Sequence, residues 1–314
     1  MKFIKPKFWN LNKPNLISKL LMIFTTPIQI NNFLLNLKSK KKDNRIRTIC
    51  IGNIYVGGTG KTPTTIKIFK ILKKLKFNVA VGKKFYKSQL DEIFLLENET
   101  NLITDTSRKI IVDKAVNAKN DLLIFDDGLQ DKNLNYDIKI VCFNSDNMIG
   151  NGQLIPAGPL REKLSSLKKY DVVFLKGDSN NFKNTSELLK IQNPNIQIFN
   201  TSYKAINIDI FNTKKKYLLF CGIGNPNGFK KILLENNINI VEEIIFPDHF
   251  EYKKGHIKDI KLKAEKLRAE IITTEKDYVK ISREDQININ FLKISLEISN
   301  EQNLINFIVT KLND

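Results

Sequence analysis

Between residues 46 and 76 a short apolar run, "IRTICIGN", passes through a glycine-rich loop, "GGTGKT", into a stretch with helical periodicity at Ile66, Phe69, Ile71, Leu72 and Leu75. A buried strand that turns through glycines into a helix constrains the fold more than any other feature here. It belongs in a parallel sheet whose faces are covered by helices. The full stretch, "GNIYVGGTGKTP", ends like a phosphate-binding loop, but Tyr55 stands where the general pattern has its first glycine.

Gly57, Gly58, Thr59 and Gly60 form a loop whose backbone amides can turn toward a polyphosphate, and the helix starting near Lys61 directs its positive end at the same charge. Lys61 then reaches the β- and γ-phosphates, and the Thr62 hydroxyl ligates Mg²⁺. A glycine turn without a ligand is the alternative, which the complete strand, loop, Lys-Thr and helix order disfavours. Such a site needs a carboxylate at the end of a neighbouring strand. "DLLIFDDGLQ" supplies Asp126 and Asp127 directly after an apolar run, where a bound dication offsets their mutual repulsion. In isolation Asp-Asp-Gly also reads as a turn.

Further strand candidates, "NVAVG", "IKIVCF" and "DVVFLKG", alternate with helical or loop stretches. The expected fold class is α/β: a P-loop NTPase-like, largely parallel sheet flanked by helices, with a smaller C-terminal α/β domain. A second βα series ("YLLFCGIG", a helix over 229–235, "INIVEEIIF", a helix over 255–268, "AEIITT") begins after residue 216. The expected domains are therefore 1–210 and 211–314, with a soft boundary and the amphipathic last segment packing back on either one.

Residues 14–37 differ from the rest. Leu16, Ile17, Leu20, Leu21, Ile23 and Phe24 recur at helical spacing, Pro27 interrupts, and Phe33, Leu34, Leu35 and Leu37 resume before Lys38, Lys40, Lys41 and Lys42. A broken apolar helix with basic flanks can lie in a membrane interface; a helix packed on the domain has the same periodicity, so both readings stand. No run reaches 18 apolar residues, so no spanning helix is expected. The lysines and the apolar run precede no small-residue cleavage site, so no secretory signal is expected either.

A formal charge of +18 favours anionic partners, although abundant Lys, Asn and Ile also fit the bias of an AT-rich genome. No aromatic-basic platform accompanies the charge, so nucleic acid is not an expected partner. Two histidines exclude a His-rich metal site. Cys50, Cys142 and Cys221 sit in apolar strand-like runs and read as free buried thiols.

The motifs "GNIYVGGTGKTP", "DDGLQ", "GNGQLIPAGPLRE", "CGIGNP", "FPDHFEY" and "TEKDYVK" follow in the order and approximate spacing of one family. With them the chain, from "KPKFW" to the last helix, resembles the tetraacyldisaccharide 4'-kinases, the lipid A 4'-kinases of Gram-negative bacteria. The resemblance implies transfer of the ATP γ-phosphate to the 4'-hydroxyl of a tetraacylated glucosamine disaccharide 1-phosphate. ATP and Mg²⁺ are the implied cofactors, and the implied location is peripheral, against the anionic cytoplasmic face of the inner membrane. It also implies Asp91 as the base, Glu92 near the metal, and His249 of "FPDHF" as the partner of Asp91. Read alone, "LDE" at 90–92 is a charged loop and His249 a turn or packing residue. Arg161 of "GPLRE" offers a planar fork for the transferred phosphate or the substrate's 1-phosphate; an ion pair with Glu162 or another acid is the alternative. One departure stands out. Where the family has a Ser-Arg-Gly-Tyr-Gly-like turn and a longer stretch, this chain has the short "VGKKFYKSQLDE", and Lys83 or Lys84 is left to supply the lost contacts.

The competing class is a membrane-associated P-loop ATPase of the partitioning or positioning type. Those proteins place a signature lysine where this chain has Val56, and their chemistry does not call for "FPDHF" or "GPLRE".

Overall fold

The computed structural model describes residues 6–27, 29–30, 32, 41–131, 133–145, 149–177 and 181–313. The chain folds into two compact units. The larger comprises Ile4–Lys84, Thr100–Ser202 and Ile298–Asp314, and the smaller is built from Phe85–Glu99 and Tyr203–Glu297. The units are therefore discontinuous in sequence, where the motif pattern alone places one boundary near residue 210.

The larger unit is organised by a sheet of parallel strands. Its core comprises β2 (Arg47–Gly52), β3 (Val79–Lys84), β4 (Leu102–Asp105), β5 (Leu122–Asp126), β7 (Ile138–Asn144), β8 (Val172–Lys176) and β9 (Gln197–Ala205). Including the edge strand β14 (Ile294–Ile298), the order is β14-β9-β8-β7-β2-β5-β3-β4. Two-residue strands β1 (Lys41–Lys42) and β6 (Leu134–Asn135) pair separately. The central strands are apolar along their length because helices cover both faces, and every residue of β5 is buried. From β2 the chain runs to β3 on one side and later to β7 on the other. β2 is thus the switch point, and ligands of open α/β sheets bind beyond the carboxyl ends of strands at such a point. The loop 53–60 leaves that end of β2 and enters the helix Lys61–Lys74.

Before the sheet lies the N-terminal helix α1 (Leu16–Leu21), capped by Asn15, whose side chain accepts from the Ser18 N–H at 2.9 Å. A 3₁₀ turn, Met22–Thr25, continues it. The polar side of this segment faces the protein: Ser18 is fully buried and its hydroxyl donates to the Ala157 carbonyl at 2.6 Å. Asn151 Nδ2 donates to Ser18 Oγ at 3.1 Å, and the buried Trp9 donates from Nε1 to the Pro156 carbonyl at 3.0 Å. The apolar side points outward, with Leu16 and Ile23 each 74% exposed and Phe24 64%. Phe33, Leu34, Leu35, Leu37, Lys38 and Lys40 lie outside the described residues. No helix among the described residues is long and apolar enough to cross a membrane.

The smaller unit has its own parallel sheet of β10 (Lys216–Cys221), β11 (Asn239–Ile245), β12 (Glu270–Thr274) and β13 (Ile289–Leu292), in the order β11-β10-β12-β13. Alternation along β10 sends Tyr217, Leu219 and Cys221 to one apolar cluster with Phe229 and Leu233. Leu218 and Phe220 go to the other face, against Ile257, Ile260 and Ala264. The helix Pro226–Glu235 starts with proline at its first turn and Asn225 as cap, accepting from the Gly228 N–H at 3.1 Å. All three cysteines are free and buried.

Candidate active site

In the larger unit the loop after β2 is held from inside. Asn53 is fully buried and its Nδ2 donates to the Tyr55 carbonyl at 2.6 Å and to Thr59 Oγ1 at 3.0 Å. The segment 154–161 braces it from outside, the Val56 N–H donating to the Pro159 carbonyl and the Arg161 N–H to the Ile54 carbonyl. Tyr55, at the position of the missing glycine, bridges to Leu160 and is buried. A side chain is tolerated there because the chain at that point packs on a neighbouring loop and need not approach a ligand. Gly57 and Gly60 have φ of 130° and 86°, which side-chain-bearing residues rarely adopt. Gly60 caps the helix without a side-chain bond, so the first helical N–H groups are left for an anion.

Asp126 ends β5 in register with Ile51 of β2 and Lys83 of β3. Its Oδ2 accepts from Thr62 Oγ1 at 3.3 Å and from Lys83 Nζ at 2.7 Å, while Oδ1 accepts from Thr65 Oγ1 at 3.0 Å. Asp127 adopts a left-handed φ of 62°, with its N–H donating to the Ile51 carbonyl. The Arg108 guanidinium donates to the Asp127 carbonyl and, at 2.8 Å, to Asp131. The Asp127 carboxylate lies 3.6 Å from Lys61 Nζ and 3.4 Å from Arg161. Arg161 is thus paired with Asp127, whereas Glu162 accepts from Gln130 and the Tyr170 hydroxyl.

The oxygen donors at Thr62, Asp126 and Asp127 suit Mg²⁺, a hard cation that takes one or two carboxylates and completes its shell with phosphates and water. No group of three or more His, Cys, Asp or Glu side chains suited to a metal exists among the described residues, which fits a cation held partly by its nucleotide.

The smaller unit holds a second cluster. Asp91 and Glu92 begin the helix Leu90–Glu99, so "LDE" is a helical first turn and not a loop. Asp91 is 2% exposed, and its two oxygens lie 3.0 and 2.9 Å from Nδ1 of His249. His249 adopts a φ of 57°, turning its ring toward the helix. Lys276 Nζ stands 3.5 Å from Asp91, 3.6 Å from Glu92 and 3.3 Å from Asp248. Lys280, one helical turn on, is 3.9 Å from Asp91 and 2.6 Å from Asp277.

Burial works against the charged form of Asp91, but the His249 hydrogen bond and the charges of Lys276, His249 and Lys280 outweigh it, holding the carboxyl below its ordinary range. Burial likewise works against the Lys276 ammonium, yet Asp248, Glu92 and Asp91 raise it above the usual lysine value. Asp277 is fully buried and accepts from the Gly222 N–H, the Thr274 hydroxyl and the Tyr252 hydroxyl. It fixes the short helix Glu275–Tyr278 that carries Lys276.

The larger unit therefore brings together Gly57, Gly58, Thr59, Gly60, Lys61, Thr62, Asp126, Asp127 and Arg161, and the smaller unit brings together Asp91, Glu92 and His249. Motif reading passed over Thr65, Arg108, Lys276 and Lys280 and gave Lys83 no partner. The four-residue spacing of Lys276 and Lys280 in "TEKDYVK" was the available signal for two of them.

A parallel sheet with its glycine loop at the switch strand, a helix N-terminus opening at that loop, and Asp126 beside Thr62 define a P-loop nucleotide-binding protein of the α/β class. A family model described as tetraacyldisaccharide-1-P 4'-kinase matches residues 15–313. The tetraacyldisaccharide 4'-kinase of Pelagibacter ubique (strain HTCC1062) is 43% identical over 316 residues, covering 100% of this chain and 99% of that protein. The protein of the same name from Rickettsia canadensis (strain McKiel) is 33% identical over 326 residues, covering 98% and 96%. This chain belongs to the tetraacyldisaccharide 4'-kinase family. The crystal structure of LpxK from Aquifex aeolicus in complex with ATP shares the fold, with a TM-score of 0.69 at 21% identity over 95% of this chain and 100% of that one.

Proposed function

We propose that the chain transfers the γ-phosphate of ATP to the 4'-hydroxyl of a tetraacyldisaccharide 1-phosphate in lipid A biosynthesis. The observation that carries this reading is the buried Asp91 carboxylate facing His249. A hydrolytic ATPase that only cycles on a surface has no use for a second, oriented base, whereas an alcohol acceptor needs one.

In the proposed reaction the loop amides and Lys61 hold the polyphosphate. Arg161, now on Asp127, exchanges that partner for phosphate oxygens, to which its planar fork is suited. Asp91 takes the proton of the acceptor hydroxyl as its oxygen bonds to the γ-phosphorus, the bond to the ADP oxygen breaks, and the proton later passes to water. His249 keeps the carboxylate oriented. Mg²⁺, held by Thr62, Asp126 and Asp127 with Glu92 as a further carboxylate, supplies charge neutralisation for the transferring group. Positioning and fixed charge account for most of the catalysis expected of such a site.

The outward apolar side of α1 and its continuation supports peripheral binding to an anionic bilayer, at the cytoplasmic face where an acylated sugar acceptor is presented. The deciding experiment is transfer of labelled phosphate from ATP to purified tetraacyldisaccharide 1-phosphate, with the product mapped to the 4' position. Turnover of ATP that ignores the acylated disaccharide would remove this function.

A further inference from the structure

Lys83 ends an apolar strand run, yet its side chain is turned into the protein and is 1% exposed. Its ammonium is 2.7 Å from Oδ2 of Asp126, whose side chain is fully buried, and the same oxygen accepts from Thr62. Taking both charges out of water is costly, and their attraction at low effective dielectric is correspondingly strong. The carboxylate assigned above to the cation is therefore already neutralised by a fixed charge. A divalent ion bound to Oδ2 at about 2.1 Å would lie no more than about 5 Å from that ammonium, and buried charges are poorly screened by salt.

We propose that Lys83 is a positioning residue, the built-in counter-ion of Asp126, which aligns the carboxylate beside Thr62 and keeps the nucleotide-free site from taking up a divalent cation by itself. The cation then enters with the polyphosphate, whose negative charge offsets both positive groups. This rests on the assignment of Thr62 and Asp126 to the cation.

The test uses Mn²⁺ alone as probe, with the full chain, no nucleotide and no acceptor, following the free-ion paramagnetic resonance signal. Lys83→Gln keeps an N–H donor and removes the charge, and should bind Mn²⁺ about tenfold or more tightly than the wild type. Adding Asp126→Asn to that variant should return the affinity to the wild-type level. A merely structural lysine would give equal or weaker binding in Lys83→Gln, which overturns the proposal, as does tight binding that persists in the double variant. Should Lys83→Gln be unfolded without metal, millimolar Mn²⁺ is expected to restore its melting transition, since the ion takes the ammonium's place; no recovery overturns the proposal equally. No phosphate is transferred in these measurements, so their outcome is separate from that of the 4'-kinase assay.

Discussion

Nδ1 of His249 faces both oxygens of Asp91, at 3.0 and 2.9 Å, so one ring nitrogen fixes the whole carboxylate. Residues acting as one unit lose activity non-additively. Asp91→Asn and His249→Ala should each lower turnover by about 10² to 10⁴ with ATP binding nearly intact, and the double variant should be little worse than the weaker single one. Multiplicative losses in steady-state kinetics would show independent roles.

Lys61→Ala should nearly abolish transfer without unfolding the chain. The side chain serves ligand charge, and its ion pair with Asp127 is a loose 3.6 Å contact. Circular dichroism and a melting curve alongside the transfer assay check this. A folded variant with near wild-type turnover would exclude the loop from the mechanism.

Asp277→Ala should cost about 3 kcal/mol of stability, because it leaves Lys280 without its 2.6 Å partner in a buried setting and strips an acceptor from Gly222, Thr274 and Tyr252. Asp91, at 3.9 Å from Lys280, limits the loss. Urea unfolding measures it, and a change under about 1 kcal/mol would mean that the network relaxes.

Asp131 supplies a pH dependence. Burial raises its pKa, but the Asn133 N–H, Arg108 and the Leu134 N–H together lower it below the ordinary carboxyl value. A depressed folded-state pKa gives stability that is fully present above the unfolded value of about 3.9 and is lost as pH falls through the folded value. The stability difference between wild type and Asp131→Asn should therefore be constant from pH 7 to about pH 5 and shrink below about pH 4. A difference that grows on acidification would contradict this.

Replacing Ile23 and Phe24 by serine should weaken co-sedimentation with anionic liposomes while leaving the melting temperature nearly unchanged, since the two side chains are 74% and 64% exposed. Unchanged sedimentation would move the membrane contact elsewhere on the chain.

The phosphate loop was legible in the sequence because backbone geometry leaves little choice: positive φ at Gly57 and Gly60 demands glycine, and the apolar strand before it announces burial. Asp126 was legible because it ends an apolar run. Lys83 was not. A lysine after "NVAVG" reads as a solvated strand end, and only the register with Asp126 shows that it is buried. Local pattern left the first helix open between packing and a membrane. The structure shows why: Ser18 and Thr25 face inward, so the protein takes the polar side through specific hydrogen bonds that hydrophobic periodicity does not register. Asp91 and His249 were reachable by family resemblance alone, since their pairing joins segments 158 residues apart.

That separation has a hereditary side. The helix bearing Asp91 is encoded between two strands of the larger unit's sheet, while His249, Lys276 and Lys280 are encoded far downstream. No single crossover near residue 210 can exchange the smaller unit as a cassette, because the incoming half would meet a resident Asp91 helix from another lineage. Exchange between distant relatives should succeed only when residues 85–99 travel with 203–297, so the two stretches of gene are bound to change together.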